Sequence, residues 1–427
     1  MSDVERIVTA IPGPRSRALA DRLRAVESRG VTYVADDFPT FWASASGATV
    51  TDVDGNRYLD LTSAFGVALT GHANPAVARA LAAQAATLPH GMGDVHPSEM
   101  KTLLLERLAA LAPLPEAKTF LCSSGAEAVE FALKTSLLAT GRPNALAFEG
   151  AYHGLAHGAL EVTGIERFRA PFLAQLRDAT SFVAFPDRDV DGAAERALAA
   201  VDAALARDAS IGCVVVEPIQ GRAGVVVPPD GFLRGLRRIC DERRALLIAD
   251  EIYTGFGRTG AWFACMHDDA EPDVLCVGKA LAGGFPLSAA ILRGTVAGAW
   301  QPSTGEALHT STYLGNPMGC AAALANLDEM RRLDAPAAAT RIGDRIARRF
   351  AQPPRGVRRI RGRGALWALV LDDGASAHAA TVRALQRGVI VLQSGPHGES
   401  LTVAPPVVIA DAQLDRALDI LLEAIAQ

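Results

Sequence analysis

Lys279 stands in Cys276-Val277-Gly278-Lys279-Ala280-Leu281, just past an apolar run and ahead of the pair Gly283-Gly284. A lysine delivered by a buried strand is desolvated, loses basicity and becomes a nucleophilic amine able to form a Schiff base with a carbonyl. The plain alternative is a solvated lysine on a helix surface. Asp250-Glu251 closes a second apolar run, Leu246-Leu247-Ile248-Ala249. That puts two carboxylates at the C-terminal end of a strand, the edge where α/β sheets carry their ligands; Asp250 as a mere turn former is the competing reading. A third run, Lys118–Cys122, is followed by Ser123-Ser124-Gly125-Ala126-Glu127. Ser124 and Glu127 have the spacing of a capping box, and Gly125 lets the backbone of a helix N-terminus approach an anion. After a fourth run comes Glu149-Gly150-Ala151-Tyr152-His153-Gly154, whose aromatic, flanked by glycines, either lies flat on a bound ring or packs under its loop.

A lysine, an acid, a phosphate cradle and an aromatic face are together what pyridoxal 5'-phosphate requires. Its aldehyde takes an amine, and an acidic partner keeps its ring nitrogen protonated, making the ring an electron sink. Lys279 and Asp250 are the candidates for these two roles. Two other chemistries compete for neighbouring residues. Gly255-Phe256-Gly257-Arg258-Thr259-Gly260 spells the G-x-G-x-x-G of a dinucleotide turn directly after a strand. Such a turn needs a helix behind it, and the aromatic, acidic stretch from Ala261 to Pro272 has no long helical period. His153 and His157 form an H-x-x-x-H pair, but Gly154 occupies the place of a zincin's glutamate and no third ligand is apparent, so no metal is expected.

The elements that must position these residues alternate. Between about 76 and 325, strands are expected at Lys118–Cys122, Ala145–Phe148, Ser181–Phe185, Gly212–Glu217, Ala245–Asp250 and Val274–Val277, with helices at Ala126–Thr140, Gly192–Arg207 and Gly231–Arg244. Near-continuous Val, Ile and Leu in the strands, with helices between them, predicts an α/β fold with a mostly parallel sheet covered on both faces. Residues 1–75 read as an N-terminal arm with short strands and a hairpin at Asp54-Gly55, grouped with the small domain. Residues 326–427 read as a small C-terminal α+β domain, with strands at Ala365–Leu371 and Val389–Gln393 and helices at Ala379–Arg387 and Asp411–Ala426.

Bulk properties remove whole classes of partner. A chain of 427 residues with a formal net charge of −5 has no basic field for nucleic acid or anionic membrane. No apolar run approaches the ~18 residues of a membrane span, and residues 1–6 lack the basic and apolar regions of an export signal. The six cysteines are scattered without a C-x-x-C pair, several inside apolar runs. A cytoplasmic protein is expected.

Several motifs taken together resemble one family. Ser124-Gly125-Ala126-Glu127-Ala128, Tyr152-His153-Gly154, Glu217-Pro218-Ile219-Gln220-Gly221, Asp250 to Gly260, Gly278-Lys279 and Ser311-Thr312-Tyr313-Leu314-Gly315-Asn316-Pro317 look like those of class III pyridoxal-phosphate aminotransferases of fold type I. They run in family order from about residue 45 to 410, and Gly255–Gly260 then resembles that family's loop after the acid that meets the ring nitrogen. The resemblance implies a large domain with a mostly parallel sheet plus a small C-terminal α+β domain. It makes Lys279 the Schiff-base lysine and proton carrier, and Asp250 the partner of the pyridinium nitrogen. Tyr152 and Ile252 would cover the two ring faces, while Ser124, Gly125 and Ala126 would serve the phosphate. His153 and Glu217 would stand near the cofactor's edge. Thr312 would reach the phosphate of a neighbouring subunit, which implies a homodimer with composite sites. Phe65, Arg222 and Thr402 are the residues expected to meet a small amino donor and a keto acceptor.

The chain also departs from the family. Members using 2-oxoglutarate with ornithine, acetylornithine or 4-aminobutyrate typically carry an arginine just after Tyr-His-Gly, where this chain has Leu155. They pair a glutamate with a second arginine at the places held here by Arg222 and Thr402. Arg222 facing the pocket would supply a fixed cation for an anionic substrate group; as a surface residue it would do nothing. The leading expectation is ping-pong transamination. An amino-acid racemase or aminomutase of the same family is the alternative, because the same lysine chemistry serves it. A catalytically dead binding protein is a third reading, but it would have lost Lys279 or Asp250.

Overall fold

The computed structural model describes residues 4–426. Near the N-terminus, β1 (Trp42–Ser46), β2 (Thr49–Asp52) and β3 (Arg57–Asp60) form an antiparallel meander. The β2–β3 turn falls where Asp54-Gly55 announces it, with Gly55 at φ 87°. The central sheet comprises β4 (Lys118–Cys122), β5 (Asn144–Phe148), β6 (Thr180–Val183), β7 (Ile211–Val216), β8 (Leu246–Asp250), β9 (Val274–Val277) and β10 (Ser288–Leu292). Its order is β4-β10-β9-β8-β7-β5-β6. All neighbouring pairs from β9 to β6 are parallel, and β10 runs antiparallel between β9 and β4. Strands β7 to β10 are buried along their lengths apart from the first residue of β8, as a sheet covered on both faces demands. β10 is absent from the expected strands: Ser288-Ala289-Ala290 carries too few bulky side chains to read as one.

A third sheet holds β11 (Val357–Arg363), β12 (Leu366–Leu371), β14 (Leu392–Ser394) and β15 (Ser400–Val403), while β13 (Val389–Ile390) joins the first sheet. The single strand expected at Val389–Gln393 is thus two. β13 pairs in parallel with β3, and after Val391 the chain turns so that β14 pairs with β15. Hydrophobicity is continuous across that break, so period and composition carry no sign of it. The last strand also ties the two ends of the chain together. Ala404 N–H donates to Leu61 O at 2.6 Å, Val407 N–H to Leu69 O at 2.8 Å, and Ser63 Oγ–H to Ala404 O at 2.6 Å.

Candidate active site

Five chain segments leave the central sheet at the C-terminal ends of β4, β5, β7, β8 and β9, and they meet around one cavity. After β9, Gly278 passes so close to β10 that a Cβ there would lie 2.5 Å from Ser288 Oγ. Lys279 follows in a left-handed conformation at φ 39°, which disfavours a residue with a side chain by roughly 1–2 kcal/mol. The glycine and the turn place Lys279 in the wall of a cavity of ≈ 400 Å³, together with Gly125, Tyr152, His153, Asp250 and Ile252.

The two carboxylates after β8 divide. Asp250, 4% exposed, has Oδ2 2.8 Å from His153 Nδ1, and its Oδ1 accepts the Ile252 N–H at 3.1 Å. Glu251 turns the other way, accepting from the Thr254 hydroxyl and, at 2.7 Å, from the Cys265 N–H. It therefore clamps the Gly255–Gly260 loop, a series of turns followed by only a five-residue 3-10 helix, Ala264–Asp268. His153 and His157 also diverge, the latter lying 3.2 Å from Gln175 Oε1.

Glu217, at the end of β7, accepts N–H bonds from Tyr152 at 2.8 Å and Gly221 at 3.1 Å. Burial pushes its carboxyl up to about 7, and the Asp250 charge adds to the rise, against the pull of His153 and the two N–H donors. Burial likewise lowers the Lys279 amine below its ordinary value, with Arg222 adding to the fall and Asp250 and Glu217 opposing it. The amine makes no hydrogen bond or ion pair among the described residues; its contact is the face of Tyr253, with Nζ 4.7 Å from the ring centre.

These residues fit pyridoxal phosphate on their own geometry. His153 Nε2 is buried with no protein partner, behind a carboxylate held by its other nitrogen. Gly125 and Ala126 line the cavity as the first residues of the helix Gly125–Thr140, whose first-turn N–H groups have no intrahelical acceptor. A Cβ at Gly125 would fall 2.6 Å from Ile252 Cδ1 and push in the cavity wall. Ser124 serves the same helix differently: its hydroxyl caps Glu127 N–H at 3.3 Å, and the Glu127 carboxylate reaches back to Ser123 N–H.

The sequence pattern of the class-III aminotransferases matches residues 32–425. The chain belongs to that family. An acetylornithine aminotransferase of Methanopyrus kandleri is 38% identical over 91% of this chain and 95% of its own. A 4-aminobutyrate aminotransferase of Mycobacterium tuberculosis is 37% identical over 99% and 98%. Among solved structures, the ornithine aminotransferase of Toxoplasma gondii, described with pyridoxal phosphate at its active site, superposes with a TM-score of 0.85 at 26% identity, covering 96% and 94% of the two chains. The protein is a pyridoxal-phosphate-dependent transaminase.

In this class III aminotransferase a second cavity of ≈ 350 Å³ adjoins the first. Phe65, Leu392, Gln393 and Thr402 line it, and it shares Tyr152, Arg222, Tyr253 and Lys279 with its neighbour. Phe65 arrives there on a run of left-handed residues, Ser63, Ala64, Phe65 and Gly66, at φ 48°, 48°, 61° and 84°. Such a run persists only where its surroundings over-determine it. Asp60 holds the Thr62 and Ala64 N–H groups at 2.7 and 3.1 Å. The buried Arg258 donates to Ser63 Oγ at 3.2 Å and to Pro405 O at 2.6 Å.

Thr402 faces the second cavity with its hydroxyl 2.6 Å from Ser394 Oγ. The Arg222 guanidinium makes no ion pair or hydrogen bond among the described residues; it lies 5.2 Å from the Tyr152 ring centre and 5.5 Å from that of Phe168. Leu155 stands at the rim of the first cavity, half exposed. Thr312 lies outside both cavities and is exposed. Phe168 and Tyr253 escape a reading of the sequence. Nothing local marks Phe168, and Tyr253 follows the acidic pair as one more aromatic of a turn.

Proposed function

We propose that Lys279 bonds covalently to the cofactor and carries the substrate proton, and that Asp250, oriented by His153, holds a charge against the ring nitrogen. When bound, pyridoxal phosphate supplies a sink for the electron pair left by a departing α-proton. Tyr152 and Ile252 close its two faces, while Gly125 and Ala126 offer N–H groups to the phosphate. Glu217 braces the Tyr152 segment. The reading rests on one observation above all: the unpaired amine and the His153–Asp250 pair line a single cavity. Residues 76–325 form the large domain that carries the cofactor, and the segments 1–75 and 326–427, grouped as the small domain, add Phe65, Leu392, Gln393 and Thr402 to the substrate side. A single L-amino acid without a keto acid tests this, and the reaction is expected to stall after one half-turnover. Continued racemisation without an acceptor would make the protein an isomerase.

The substrate carries an anionic group that Arg222 receives. Two aromatic rings flank the guanidinium and no carboxylate among the described residues pairs with it, so its fork is open to a substrate carboxylate. Binding 2-oxoglutarate needs cations at both ends, yet Leu155 and Thr402 stand where relatives in the family carry arginines. A second carboxylate left unpaired in a partly buried pocket costs roughly 1–3 kcal/mol. Pyruvate and similar monocarboxylic keto acids are therefore expected to exceed 2-oxoglutarate in kcat/KM by about tenfold or more. Arg222→Ala should raise KM for the anionic substrate about ten- to a hundredfold. Steady-state kinetics with one common donor decide both points, and a clear preference for 2-oxoglutarate would refute the single-cation pocket.

The enzyme acts as a cytoplasmic homodimer. Thr312, remote from its own cavities, reaches the neighbour's phosphate; the exposed apolar side chains Leu308, Tyr313, Met92 and Val95 around it support a second copy seated there. Sedimentation at micromolar concentration is expected to give twice the chain mass. A monomer retaining full activity would remove Thr312 from the site.

A further inference from the structure

Tyr253 is the neighbour of Lys279 to which none of the roles above is given. Its ring is built into place from both sides. A Cβ at Gly66 would fall 2.5 Å from Tyr253 Cε2, and a Cβ at Gly221 would fall 2.4 Å from Cδ1, so two glycine backbones grip opposite edges of the ring. Behind it lies a small apolar cluster of Ile219, Val225, Val227, Leu366, Ala368 and Ala404. The phenol makes no hydrogen bond among the described residues, and burial pushes its ionisation up to about 12. It is therefore a neutral face and neither a base nor an acid near neutral pH.

The Lys279 amine lies over that face at 4.7 Å from the ring centre, inside the roughly 6 Å within which an aromatic quadrupole attracts a cation. Lys279 and Tyr253 both line both cavities, so the ring stands where the two meet. The charged groups around the amine are Asp250, Glu217 and Arg222. None of them bonds to it.

We propose that Tyr253 is a positioning residue: its ring face holds the free Lys279 ammonium at the junction of the two cavities during the half of the cycle in which the amine is not bonded to cofactor. Asp250 and Glu217 attract the ammonium and Arg222 repels it, and the ring face gives it a defined contact. Gly66 and Gly221 are required because any side chain at either would displace the ring. The inference rests on Lys279 being the reactive amine, and its test is independent of turnover.

The experiment uses the full-length enzyme in its pyridoxamine phosphate form, where Lys279 is free. The pH dependence of Lys279 carbamylation by cyanate, followed by peptide mass spectrometry, gives the titration midpoint of the amine. Tyr253→Phe is expected to leave that midpoint in place, because the ring face is kept. Replacing that phenylalanine by difluoro- and pentafluoro-phenylalanine preserves shape while draining the face of electron density. The midpoint is expected to fall stepwise along this series, by about half a unit to one and a half units at the end. A midpoint that is constant or rises along the series overturns the proposal, as does a large shift in Tyr253→Phe, which would assign the effect to the hydroxyl. Either result leaves the assignment of Lys279 itself standing, because that is decided by a different variant.

Discussion

Lys279→Ala is expected to lower turnover by about 10⁴-fold or more, because in the proposed role one side chain provides both the covalent attachment and the proton transfer, and acid–base transfer alone contributes typically 10²–10⁴-fold. The wild-type protein should be yellow, and borohydride should fix a pyridoxyl group on the Lys279 peptide. In the variant that label should vanish while cofactor remains bound without a covalent link, since His153, Asp250 and the N–H groups at Gly125 and Ala126 are untouched. The fold should survive. Alanine at φ 39° bears about the same backbone strain as lysine, and the lost amine had no hydrogen bond to leave unsatisfied. An unchanged borohydride-trappable adduct in Lys279→Ala would assign the chemistry to another amine.

Asp250→Asn should slow α-proton removal by roughly 10²-fold or more while leaving cofactor bound. The amide is close in shape and can still meet His153 Nδ1 and the Ile252 N–H, which lie 2.8 and 3.1 Å from the two carboxylate oxygens. What it lacks is the charge that, in the proposed role, keeps the ring nitrogen protonated. Single-turnover kinetics with an α-deuterated donor separate the two effects. The variant is expected to show a larger deuterium isotope effect, because proton removal becomes limiting, with cofactor retention little changed. Near-normal single-turnover rates would mean that the electron sink is arranged without Asp250.

The residues behind both expectations were legible because each sits at a strand end whose signature is local. An apolar run followed by Gly-Lys, Asp-Glu or Ser-Gly is read from a few neighbours in sequence, and those runs became β9, β8 and β4 of the central sheet. Features that depend on contacts across the fold were not legible. Arg222 meets Phe168 only because β5 and β7 are neighbours in the sheet. The left-handed run from Ser63 to Gly66 contradicts the conformational preference of three of its four residues. It exists because Asp60, Arg258 and Ala404 hold it from three places in the chain. The break at Val391 likewise reflects two sheets competing for one apolar stretch. Glu251 was legible as half of an acidic pair, but not as the half that turns away from the cavity.

The tie between the two ends of the chain sets an order on how the enzyme comes into being. A ribosome adding about 5–20 residues per second needs roughly 20 to 90 seconds to make 427 residues, and for nearly all of that time Pro405 has not yet been made. The bonds from Arg258 to Pro405 O, from Ser63 Oγ to Ala404 O and from Ala404 N–H to Leu61 O form only once those residues exist. The central sheet, from β4 to β10, is complete well before then. Lys279 and Asp250 can thus be brought together on the nascent chain while the side of the second cavity formed by Leu392, Gln393, Ser394 and Thr402 is still unmade.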